Sequence, residues 1–143
     1  MSAQLTNARP PTARRTTRAV AAGLATLGAL TVWVVADPLL GIDFSVTQSG
    51  TTTVVGPGSI IGSALAASLL GWALLAVLER YTPRARRAWV TSAVVVLLLS
   101  LVVPFIAGEI ETGAQMSLLA MHLVVGAVLI PVYARSSRDL RHR

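Results

Sequence analysis

Long stretches free of Asp, Glu, Arg and His alternate along the chain with short polar segments. They run from Ala19 to Ala36, from Phe44 to Leu78 and from Ala88 to Gly108; from Thr112 to Ala134 only His122 interrupts. A bilayer core about 30 Å thick is crossed by roughly 20 apolar residues at 1.5 Å each. The first, third and fourth stretches each predict one span. The second is too long for one, but its first part, Phe44 to Gly58, is rich in Thr, Ser and Gly and leaves a span starting near Ser59. Backbone in lipid must satisfy its own hydrogen bonds, so the spans are helices. The pattern predicts an all-α membrane protein, a four-transmembrane-helix bundle with spans at about 19–36, 59–78, 89–108 and 114–134. Residues 1–18, with Pro10-Pro11 and many Thr and Ala, read as a disordered basic tail. Residues 135–143 form a second basic tail.

The basic start followed by Val34-Val35-Ala36 has a faint likeness to a signal peptide. The apolar stretch is longer than the usual core of about 7–15 residues, so an uncleaved span is expected.

Residues 37–58 carry a different period. Ile42, Phe44 and Val46 alternate with Asp43, Ser45 and Thr47; Ser49-Gly50 offers a two-residue turn; Thr51 to Val55 is β-branched throughout. This predicts a short extracytoplasmic β-hairpin between helices 1 and 2. Phe44 would face Val55, and Val46 would face Thr53, on one side. Ser45–Val54 and Thr47–Thr52 would lie on the other. Two roles are open to the hairpin, a cap over the bundle or a recognition element for an outer-face partner or lipid.

Charge orients the bundle. All twelve basic residues are Arg: Arg9, Arg14, Arg15 and Arg18; Arg80, Arg84, Arg86 and Arg87; Arg135, Arg138, Arg141 and Arg143. The two remaining connections hold Asp37, Asp43, Glu109 and Glu111. With four spans, both tails and the middle loop share a side. The positive-inside rule makes that side cytoplasmic, so a multi-pass plasma-membrane protein with both termini inside is expected. Each Arg group abuts a span, so anionic headgroups of the bilayer account for the net charge of +6. No aromatic-rich basic face accompanies it, and nucleic acid is not an expected partner. Only 13% of residues are charged, against about 25% in soluble domains, which excludes a soluble globule. The absence of cysteine excludes disulfides, thiolate metal sites and cysteine nucleophiles, including quinone-dependent disulfide chemistry.

Inside the spans, two features stand out. In the second helix Gly58, Gly62 and Ala66 recur every four residues, as do Ser59, Ser63, Ala67 and Gly71. This face of small residues predicts close packing, first against helices of the same chain and otherwise in a homo-oligomer or with another membrane protein. His122 is the one histidine in a span, and intramembrane ionisable residues are functional candidates. Its depth matches that of Ser100, Ser68 and Thr26, so these four are expected to form a polar cluster. A neutral imidazole bonded to the hydroxyls is one reading; a proton relay or ligand contact is the other. Pro104 would free the Ser100 carbonyl as a further acceptor. No metal or cofactor is expected. Trp33, Trp89, Tyr81 and Tyr133 read as interface anchors, Trp72 as packing, and Glu109 and Glu111 as solvated turn residues.

The motifs Pro38-Leu39-Leu40-Gly41, Val55-Gly56-Pro57-Gly58, Gly71-Trp72 with Leu78-Glu79-Arg80, and Met121-His122-Leu123 carry a resemblance. The chain resembles, from about Ala19 to Arg138, a family of small four-helix membrane proteins of unknown function from high-GC Gram-positive bacteria. The resemblance implies fold and location and supplies no activity. The expected function is therefore a non-enzymatic binding, assembly or accessory role. The alternative is a small transporter or channel subunit using His122 for proton coupling. A membrane enzyme ranks third, because no paired carboxylates, activated nucleophile or metal set is legible.

Overall fold

The computed structural model describes residues 11–48, 50–106 and 109–137. Four helices dominate it: α1 (Pro11–Val34), α2 (Pro57–Tyr81), α3 (Ala85–Ile106) and α4 (Thr112–Ser136). Each is long and apolar enough to cross a membrane. Arg9, Arg138, Arg141 and Arg143 of the basic tails lie outside the described residues, as does Ser49 of the expected turn.

Helix α1 begins at Pro11, inside the segment expected to be disordered, which corrects that reading for residues 11–18. Proline suits the first helical turn, where its missing N–H would have no partner anyway. The Thr16 and Thr17 hydroxyls donate back to the carbonyls of Thr12 and Ala13. Arg18 is buried in the bundle and tethers this extension. At its other end the helix widens into a π turn, Val35–Leu39, around Pro38. Proline offers no N–H to the preceding turn and crowds its carbonyl. The Leu40 N–H reaches back to Val35 at 3.1 Å and the Ile42 N–H to Ala36 at 3.0 Å. Gly41, at φ 67, closes the turn in the left-handed region where a Cβ would be strained.

Strands β1 (Ser45–Gln48) and β2 (Thr51–Val54) pair antiparallel in the register the alternation predicts, Ser45 with Val54, Val46 with Thr53 and Thr47 with Thr52. The Val55 N–H donates to the Phe44 carbonyl at 2.9 Å. Phe44 is buried with Ile60, Ala64 and Ala114, so the hairpin is seated on the helix ends. A third strand, β3 (Glu109–Ile110), pairs with the other edge of β1. This corrects the reading of Glu109 as a turn residue, whereas Glu111 is exposed as expected. An unpaired strand edge offers free N–H and C=O groups to any chain passing beside it. Two residues are too few to display a period. Glu111 contributes as well, accepting the Asp43 N–H at 3.2 Å.

Helix α1 packs most extensively on α4 and on α2, while α3 rests on α4. Its buried alanines Ala21, Ala25 and Ala29 make the tight contact face. Two residues expected as interface anchors lie in the core instead. Trp89 is buried and donates Nε1–H to the Ile130 carbonyl at 3.2 Å. Tyr133 is fully buried and donates its hydroxyl to the Ser68 carbonyl at 3.1 Å. A polar handle that finds a backbone acceptor inside the protein has no need of the interface. Trp33 also departs from an anchor's role: its Nε1 is buried and has no partner among the described residues. Tyr81, 76% exposed, keeps a position suited to an interface.

Candidate functional site

Helix α2 turns Ile60, Ala64, Ser68 and Leu75 inward. Helix α3 leans on α4, where Leu97 meets Gly126. The two helices make far less contact with each other than either makes with its own support. They approach at Gly71, where a Cβ would lie 3.1 Å from the Trp89 ring. Elsewhere they leave a groove of about 630 Å³ floored by α4. It runs from Val55 and Ser59 near the sheet to Leu74 and Trp89 near the arginine-bearing end. Leu70, 71% exposed, shows that the groove is open to the side of the bundle.

Its lining is apolar except for the side chains of Ser59, Ser63, Ser100 and His122. The hydroxyls of Thr26, Thr31, Ser68, Ser100 and Ser117 each donate to the carbonyl four residues back. Such local bonds are how hydroxyls are accommodated in lipid-embedded helices. The hydroxyls of Ser59 and Ser63 make no such bond among the described residues. Nδ1 of His122 lies 2.7 Å from the Leu118 carbonyl. A carbonyl only accepts, so Nδ1 carries a hydrogen, and in the tautomer with that single hydrogen Nε2 is left as an acceptor.

At the opposite end a second polar group ties three helices together. Arg18 of α1 donates to Glu79 of α2 at 2.6 Å. It also donates through Nε to the Ser136 hydroxyl at 2.9 Å and to the Ser136 carbonyl at 3.1 Å in α4. The Ser136 hydroxyl in turn donates to the Tyr133 carbonyl at 2.9 Å. Among the described residues no three His, Asp or Glu side chains converge as metal ligands would.

With this geometry in place, one family profile matches residues 9–139, all four helices and the sheet included. The chain belongs to DUF6069, a family of unknown function. No curated protein and no solved structure matches it.

In this member of DUF6069 the expected polar cluster forms only in part. His122 and Ser100 share the groove lining, whereas Ser68 is fully buried outside it and Thr26 belongs to α1. The four side chains do not bond one another; each is bonded to its own helix, and none donates to the Ser100 carbonyl. Counting residues from the span ends leaves direction around each helix open, and back-bonding satisfies each of the four locally. The small-residue face also lies differently from the expected packing within the chain. Gly58, Ser59, Gly62, Ser63, Ala66 and Ala67 are exposed, and a Cβ on Gly58 or Gly62 would meet nothing within 4 Å. Only Gly71 makes a close approach. The alanine stripe of α1 takes the tight packing instead, leaving one row of α2, Ser59, Ser63, Ala67 and Gly71, to line the groove. Sequence reasoning missed the Arg18–Glu79–Ser136 group. The signal available was that Arg18 and Glu79 fall at the same end of the four-span layout, each next to an apolar stretch.

Proposed function

We propose that this chain is a plasma-membrane protein that acts by binding rather than catalysis, as an accessory or assembly protein receiving an apolar partner in the α2–α3 groove. The observation that carries the reading is the groove itself: about 630 Å³ of almost wholly apolar surface, open laterally where lipid or a membrane partner would stand. Concave, largely apolar pockets with a few polar groups are the usual form of ligand sites. The transporter reading finds one supporting observation, the position of His122 in the groove wall.

The test is site-specific photocrosslinking in native membranes. A photoreactive residue at Leu70 or Leu74, in the groove, is expected to give one discrete adduct that is absent from Val95, which is exposed on α3 outside the lining. Equal, diffuse labelling at all three positions would remove the basis for a binding role.

The orientation that goes with this reading places both termini and the α2–α3 loop in the cytoplasm, supported by the arginines of those segments. Single cysteines at Thr53 and Ser137, probed in intact cells with an impermeant thiol reagent, are expected to label at Thr53 only. Labelling at Ser137 alone would reverse the topology.

A further inference from the structure

The groove has its own internal polarity. Toward the sheet its walls carry the Ser59 and Ser63 hydroxyls, which have no side-chain bond among the described residues, and the unengaged Nε2 of His122. Toward the other end its walls are the apolar side chains of Leu70, Leu74 and Trp89. From Ser63 to Leu74 the α2 wall extends about 16 Å at 1.5 Å per residue, close to half the hydrocarbon thickness.

A polar group facing hydrocarbon without a partner is costly, and the Ser63 hydroxyl and the His122 ring in one groove point to a ligand that supplies the partners. The acceptor at Nε2 asks for an O–H or N–H donor. The serine hydroxyls, free to rotate, take either role. No charged side chain lines the groove, so a phosphate or ammonium head would find no counter-charge there. The groove encloses about 630 Å³ between the α2 and α3 walls, room for one acyl chain with a small head. A transmembrane helix has its backbone donors already used within its own turns and offers none of them to Nε2.

From these features we infer that the groove binds a single-chain, uncharged lipid with a free hydroxyl head, of the monoacylglycerol class. The head sits between Ser63 and the Nε2 of His122, with Ser59 beside it. The chain lies along Ala67, Leu70 and Leu74. This rests on the groove being the binding site proposed above.

The test uses the full-length protein in phosphatidylcholine vesicles. The probes are a photoactivatable monoacylglycerol and a photoactivatable fatty-acid methyl ester of the same chain, which has no O–H to donate. The monoacylglycerol is expected to label the α2 and α3 peptides at least tenfold more strongly than the ester. His122→Leu and Ser63→Ala are each expected to reduce that labelling severalfold while leaving the elution profile of the protein unchanged. Leu70→Trp, which fills the groove, is expected to abolish it. Equal labelling by both probes, or full labelling of both His122→Leu and Ser63→Ala, would overturn the hydroxyl-headed ligand and leave the groove reading intact. Full labelling of Leu70→Trp would overturn both. A protein adduct at Leu70 in cells with no monoacylglycerol labelling in vesicles would overturn the lipid and keep the groove.

Discussion

Replacing Glu79 with leucine is expected to destabilise the protein by about 3 kcal/mol, the lower end of what removing one partner of a buried ion pair costs. The two side chains are only 6% and 16% exposed, so solvent screens the pair weakly. Without the carboxylate, the Arg18 guanidinium stays buried, held by the Ser136 hydroxyl and carbonyl, which are neutral. The same substitution releases α2 from α1 and α4 at this end. The double variant Arg18→Met/Glu79→Leu is expected to recover most of the loss, because it removes both charges together. Thermal unfolding of the purified single and double variants in one detergent checks both statements. Equal destabilisation in the two would mean that the hydrogen bonds to Ser136, rather than the ion pair, hold this end.

Gly28→Ala is expected to cost about 2 kcal/mol, as overpacking of a close helix contact does. A Cβ on Gly28 would lie 2.6 Å from Cγ1 of Val124 at the α1–α4 crossing. Valine in a helix has essentially one χ1 rotamer, so the methyl cannot step aside and the helices must part. Gly126→Ala offers the contrast. Its Cβ would lie 2.8 Å from Cδ2 of Leu97, the far end of a flexible side chain that borders the groove and has room to swing into it. That variant is expected to lose less than about 1 kcal/mol, since volume added beside open space is absorbed by a rotamer change. Adding Val124→Ala to Gly28→Ala is expected to restore most of the stability, and unfolding midpoints of the three variants decide the comparison.

The spans and the hairpin were legible because both rest on periods and gaps. Four apolar stretches bounded by arginine or acidic residues can be resolved only as helices in lipid. The alternation through Ile42 to Thr47 fixed the register that Phe44 and Val55 display. What was not legible depends on direction around a helix. The small residues of α2 and the alanines of α1 both satisfy the pattern for close packing, and only the assembled bundle shows that α1 uses it and α2 leaves it open. Counting residues from the span ends assigned His122, Ser100, Ser68 and Thr26 one depth, yet only His122 and Ser100 line the groove. The arginines were counted as orienting charges, which concealed that Arg18 is a buried structural ligand of Glu79 and Ser136. Trp89 and Tyr133 occur near span ends, as interface aromatics do, but their polar atoms find backbone carbonyls inside the bundle.

In the bilayer α2 and α3 are expected to stand apart and to hold an apolar occupant between them. A structure of the full chain in lipid nanodiscs prepared from native membrane tests it most directly. The expected result is α2 and α3 separated from Ser63 to Ala67, with elongated density in the groove running from the level of His122 toward Trp89. A closed bundle, with Ala67 packed directly against Leu97 and no space between the helices, would contradict it.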